Sequence, residues 1–439
     1  MRQRAARFMK NKRRDFLKYS GLAGLGMAGG ILKGLAANKT MEHLPEETSA
    51  RTGQEDFADD QLTMIGLYGP WAASLTANKL PSLSFRNPGW TDIESWRSKA
   101  RQQVMDRMAI PDIGSLPEVR VIREFVYDGL LVKELEWQLP YGRATQATLL
   151  KPINAKGSLP GILAFHDHGG NKYFGRRKIT RTENNPHPLI TAHQKEYYSG
   201  LAWANELAKK GYVVLVPDGF AFASRRVMLQ DVPKSLRQGL SDEDPENPVN
   251  IAAYNKWAAD HESIMAKSLF SAGTTWPALS FAEDRKALDI LCSLQEVDTK
   301  RVGCAGLSGG GLRTAFMGGL DPRIQCAVCV GFMTTWKDFL LYKSVNHTWM
   351  IYTPLLPGEL DFPEILGLRI PLPTLVMNDI ADDLYTLNEM KEADRILAEL
   401  YHKVDADNRY KCSYYPGPHK FDAAMQTEAF AWFDRWLKN

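Results

Sequence analysis

Apolar side chains recur at helical spacing between residues 91 and 108, where Ile93, Trp96, Ala100, Val104 and Met108 share one stripe. Thr91 is the expected N-cap, with Asp92 and Glu94 in the first turn. Residues 54–114 carry no strand alternation, and their tryptophans, Trp71, Trp90 and Trp96, predict a helical prelude packed onto a larger body. Strands are expected within 119–136 and over 145–152, with turn signals at Asp128-Gly129 and Pro140-Tyr141-Gly142.

Beyond Pro160 short apolar runs alternate with longer helical ones. Strands are expected at 161–165, 212–216, 301–305, 326–330 and 373–377, and helices at 201–210, closed by Gly211, at 281–296 and at 311–320. Strands this uniformly apolar are buried on both faces, which calls for a parallel sheet covered by helices on each side. The antiparallel strands ahead of that unit make the sheet mixed. Two stretches, about 224–277 and 335–368, break the rhythm just after strands, where loops at the carboxyl ends of a parallel sheet build ligand sites. They are candidate lids or substrate walls, with plain surface elaboration as the alternative.

Composition narrows the class. The 439 residues allow one large elaborated domain or two modest ones, and 44% hydrophobic with 24% charged residues excludes disorder throughout. Lys and Arg number 54 against 51 Asp and Glu, and much of the basic excess lies in the first turns of the chain. The remainder lacks the basic field of a nucleic-acid binder. The cysteines number 5, too few for a disulfide scaffold; Cys326 and Cys329 stand at CxxC spacing but inside an apolar run with no second pair at zinc spacing, so core cysteines are expected.

The N-terminus reads Lys12-Arg13-Arg14-Asp15-Phe16-Leu17-Lys18, then a mildly apolar stretch rich in Gly and Ala, then Ala36-Ala37. This resembles a twin-arginine export signal. A membrane-spanning first helix is the alternative, but glycines and Lys33 dilute the stretch below about 18 strongly apolar residues. The resemblance implies a signal peptide over 1–37, a polar tether over 38–53, and export by the twin-arginine machinery to the periplasm or beyond. No later segment is apolar for long enough to span a bilayer, so no stable membrane insertion of the mature chain is expected.

One motif carries chemistry. Gly306-Leu307-Ser308-Gly309-Gly310 fits G-x-S-x-G, directly between an expected strand and an expected helix. Composition alone supplies roughly 0.1 such matches per chain, so the strand-to-helix context is what gives the motif weight. A seryl hydroxyl needs a base to take its proton and an acid to orient that base. Both follow in chain order: Asp379, Asp382 and Asp383 after the strand at 373–377, and His419 ahead of a final helix.

This order resembles the α/β-hydrolase superfamily over about residues 115–439. Within it, Phe165-His166-Asp167-His168-Gly169-Gly170, Pro217-Asp218-Gly219-Phe220 and the run from Val297 to Gly303 resemble the branch of dienelactone hydrolases and acetyl xylan esterases. The resemblance implies a mostly parallel, doubly wound sheet with antiparallel N-terminal strands and helical insertions. It makes Ser308 the nucleophile, His419 the general base and Asp382 the acid, with Asp383 open and Asp379 third. The oxyanion donors would be the N–H of Gly309 and one from the loop after 161–165, expected at Gly170. Function is then hydrolysis of carboxylic esters, small-molecule or carbohydrate, with no cofactor implied.

Other chemistries stay open at this stage. His166-x-His168 also fits the strand-borne metal pair of amidohydrolases, although no further ligand pattern accompanies it. The same triad serves peptidases and lactone hydrolases, and a decayed triad would leave a binding module. The aromatics of the second insertion, Trp336, Tyr342, Trp349, Tyr352 and Phe362, could stack on sugars but more often such residues pack onto the domain. Arg225 and Arg226 could pair with a substrate carboxylate or form an ordinary structural ion pair.

Overall fold

The computed structural model describes residues 63–77 and 80–438. The segment resembling an export signal and the tether after it lie outside the described residues. The strands are β1 (Val119–Tyr127), β2 (Leu130–Trp137), β3 (Thr145–Pro152), β4 (Leu159–Phe165), β5 (Val213–Pro217), β6 (Val297–Leu307), β7 (Cys326–Val330), β8 (Thr374–Asp379) and β9 (Tyr410–Tyr415). They form one sheet in the order β1-β2-β3-β5-β4-β6-β7-β8-β9. The meander β1-β2-β3 and its junction with β5 are antiparallel, and every pairing from β5 to β9 is parallel. Asp128 and Gly129 both hold positive φ in the tight β1–β2 turn, as the sequence signal requires.

The helices are α1 (Tyr68–Ala77), α2 (Ile93–Met108), α3 (Pro188–Tyr198), α4 (Trp203–Lys209), α5 (Pro248–Ser271), α6 (Trp276–Ser293), α7 (Gly309–Leu320), α8 (Phe362–Gly367), α9 (Leu387–His402) and α10 (Ala423–Leu437). They cover both faces of the sheet. Leu163 and Phe165 of β4 enter a core shared with α2, α6, α7 and α9, whereas Ile162 and Ala164 enter a second core with α4 and α10. Period-2 alternation thus divides one apolar strand between two cores.

Local chemistry moves several expected boundaries. Asp92, not Thr91, caps α2, its carboxylate accepting the Ser95 N–H at 2.8 Å. Helix α6 begins ahead of residue 281, because Thr275 Oγ1 accepts from the Ala278 N–H and Pro277 occupies the first turn. Trp96 is fully buried and donates to Leu83 O, but Trp71 is 63% exposed on α1 and does not pack as expected. The first insertion holds the 24-residue helix α5, and the second holds short turns and α8. The cysteines are free, with Cys326 and Cys329 buried in β7. Among the described residues no helix is long and apolar enough to cross a membrane.

Candidate active site

Ser308 joins the last residue of β6 to the first of α7 with φ 59° and ψ −121°, a conformation that costs a non-glycine residue about 1–3 kcal/mol. Its N–H donates to Val330 O at the end of β7 and its carbonyl accepts from Leu312, so both flanking elements hold the strain in place. The motif glycines have a steric cause. A Cβ on Gly306 would lie 2.6 Å from Phe165 O, and one on Gly310 would lie 2.5 Å from that same oxygen. Three backbones therefore meet without side chains between them, which lifts the serine over the carboxyl end of the sheet.

His419 and Asp382 converge on this point. Asp382 lies just beyond β8; its Oδ1 accepts the Leu384 N–H at 2.9 Å and its Oδ2 accepts from His419 Nδ1 at 2.6 Å. Protonation of Nδ1 leaves Nε2 as a bare acceptor, and Nε2 is buried with no partner among the described residues. Ser308, Gly309, Gly170 and His419 line one cavity of about 290 Å³. Asp383 is exposed and offers its carbonyl to Lys343 and Asn346. Asp379 is buried beside the pair: one oxygen accepts the Lys420 N–H, the other has no partner among the described residues, and burial pushes its carboxyl up to about 7.

The loop after β4 faces the serine. His166 donates from Nδ1 to Asp167 O and accepts the Gly219 N–H at Nε2. His168 accepts the Gly170 N–H at Nδ1, 3.1 Å, and donates from Nε2 to Glu262 Oε1, 3.2 Å. All four ring nitrogens are thus engaged by protein groups, and the pair does not converge as metal ligands would. Gly170 also differs from expectation, since its N–H points at the His168 ring. The loop also brings the His168 backbone nitrogen 3.1 Å from where a Cβ on Gly309 would sit.

Both insertions reach the site. Helix α5 delivers Glu262, which pairs with buried Lys172 as well as with His168. Burial alone would raise the Glu262 carboxyl, but the His168 hydrogen bond and the Lys172 charge outweigh it and hold it near 2. The second insertion supplies Asn346, His347 and Thr348 to the cavity wall. His347 donates from Nε2 to Leu384 O, and burial pushes it down to about 4, so it is neutral near pH 7. None of the five aromatics singled out above lines this cavity; Trp336 and Phe362 are buried in the core. Arg225 is buried against Glu283 at 2.6 Å, an internal ion pair, and Arg226 stacks on Tyr173.

No protein-family model matches the chain. A curated relative, "Putative hydrolase YtaP" of Bacillus subtilis (strain 168), is 23% identical over 333 residues, 74% of this chain and 96% of its own. Among solved structures, one described as a "putative acetyl xylan esterase" from Bacteroides fragilis matches with TM-score 0.59 at 17% identity, over 82% of this chain and 84% of its own. A glucuronoyl esterase from Solibacter usitatus matches with TM-score 0.56 at 13% identity, over 82% and 98%. These likenesses, with the sheet order above, establish the α/β-hydrolase fold.

Proposed function

We propose that the chain is an exported serine hydrolase that cleaves carboxylic esters through an acyl-enzyme. The observation that carries the proposal is the 2.6 Å His419–Asp382 hydrogen bond, which leaves Nε2 bare in the cavity that Ser308 lines. In the first half-reaction His419 Nε2 takes the Ser308 proton as Oγ bonds to the ester carbonyl, and Asp382 stabilises the imidazolium. The imidazolium then gives that proton to the departing alkoxide as the C–O bond breaks. Water then bonds to the acyl carbonyl as His419 takes one of its protons; the acyl–Oγ bond breaks, His419 returns that proton to Ser308 Oγ, and the acid product leaves.

The oxyanion needs two donors fixed in advance. Gly309 N–H, at the start of α7, is one. His168 N–H fills the second role expected of Gly170, because Gly170 already donates to the His168 ring; Gly170 is left as cavity wall. The cavity, at about 290 Å³, matches a small acyl group with part of its alcohol. Both solved structures named above are described as esterases, one of acetyl xylan and one of glucuronoyl esters, which favours an acylated carbohydrate as substrate. Export rests on the Arg13-Arg14 segment; lysines at both positions should retain the precursor in the cytoplasm, and unimpeded export would refute the route.

Hydrolysis of a short activated acetyl ester tests the chemistry. Activity should persist with a chelator present and fall by at least about 10³-fold in Ser308→Ala. Activity indifferent to Ser308 would refute the serine mechanism.

A further inference from the structure

A second buried cation sits behind the loop that faces Ser308. Lys178, on the short helical turn Arg176–Lys178, is 0% exposed and is not among the residues that line the cavity shared by Ser308 and His419. Its Nζ donates to Asp167 O at 2.8 Å and to His168 O at 2.9 Å. The Asp167 side chain, 3.6 Å from Nζ at Oδ2, supplies the counter-charge. That carboxylate is itself held by the Tyr198 hydroxyl at 2.5 Å and by His193.

We propose that Lys178 is a positioning residue that aims the second oxyanion donor. The inference rests on the serine mechanism proposed above. Asp167 O and the His168 N–H belong to one planar trans peptide unit, so they point in opposite directions. An ammonium on the oxygen, beside the His166 Nδ1 that also donates there, therefore fixes the N–H on the opposite side of that peptide, and the His168 nitrogen lies 3.1 Å from where a Cβ on Gly309 would sit. The second bond, to His168 O, fixes the next peptide as well and prevents a flip that would turn a carbonyl oxygen toward the developing anion. A cation on the carbonyl also polarises the amide and strengthens its N–H as a donor. Gly169 permits the arrangement: its φ is +50°, and a Cβ there would lie 2.4 Å from Asp167 Oδ2.

The test compares Lys178→Met with Lys178→Gln, which keeps one donor without the charge, using steady-state kinetics on the activated acetyl ester. The Met variant should lose about 10²-fold in kcat with KM changed by less than about threefold, because the lost interaction forms only in the transition state. The Gln variant should recover part of that loss. Affinity for a trifluoromethyl ketone, whose adduct carries the oxyanion, should fall in parallel with kcat. A folded Met variant with kcat within about threefold of the parent overturns the inference, as does a failure of both variants to fold, which would make the lysine purely structural. Ser308→Ala run alongside separates the two levels. Activity surviving in Ser308→Ala defeats the serine mechanism itself. Activity lost there but kept in Lys178→Met defeats only the role of Lys178.

Discussion

Ser308 stands where three backbones touch with no side chain between them, whereas the loop it faces, from His166 to Lys178, is tied down by buried charged side chains. On the sheet side, a Cβ on either Gly306 or Gly310 would collide with Phe165 O. On the loop side, Lys172, Lys178, Glu262 and the Asp167 carboxylate are buried in two charged knots. The comparison teaches that the two requirements of the chemistry use different physics. The proposed nucleophile, on strained backbone, is held by steric closure, which tolerates no added atom. The proposed oxyanion loop is held by charge-assisted hydrogen bonds, whose partners can be exchanged in matched sets.

Breaking the sheet side at its acid should have the largest effect. Asp382→Asn should lower kcat by about 10⁴-fold with the fold intact, since the amide favours the wrong histidine tautomer. Asp383→Asn should stay within about threefold in the same assay. A large loss at Asp383 and none at Asp382 would move the acid to the neighbour.

Stability measurements by denaturant titration sharpen the contrast next. Glu262→Gln leaves Lys172 buried without its counter-charge and should cost about 3–5 kcal/mol. Pairing it with Lys172→Met should recover most of that loss, because both charges are then gone. Gly310→Ala should cost about 1–3 kcal/mol by overpacking against Phe165 O, and no single partner change should restore it. Equal, unrescued losses on both sides would erase the distinction.

The smallest effect lies in pH. Glu262 is held near 2, below its ordinary 4.5, so the folded state keeps it charged, and the stability it contributes is lost as pH falls from about 4.5 toward 2. Asp379 has the opposite sign. Burial raises it from 3.8 to about 7, so the folded state retains a proton that the unfolded chain releases, and stability falls as pH rises through that window. Melting curves from pH 3 to 8 should therefore flatten below about 4.5 in Glu262→Gln and between about 4 and 7 in Asp379→Asn. Parallel profiles in the two variants would contradict the assignment.

The legibility of the sequence follows the same division. Ser308, Asp382 and His419 could be named because strand ends, a glycine-flanked serine and chain order are local signals, and the strands from β4 to β8 announced themselves as apolar runs. Strand β9 escaped because Tyr410, Lys411, Ser413 and Tyr415 give an edge strand a mixed polar pattern. Glu262, Lys172 and Lys178 were not singled out, for nothing local shows that α5 folds back 94 residues to meet His168. That the Gly170 N–H is taken up by the His168 ring could not be read for a related reason: which amide of a glycine-rich loop is free depends on side-chain acceptors that spacing does not reveal. Trp71 shows the converse, a large apolar residue that promised burial and stands exposed.

The central claim is that Ser308 is a nucleophile activated by His419. Incubation of the protein with a fluorophosphonate, followed by peptide mapping by mass spectrometry, tests it most directly. A single adduct on the peptide containing Ser308, strongly slowed in His419→Ala, is the expected result. An adduct elsewhere, or none on a protein that hydrolyses the acetyl ester, would contradict it.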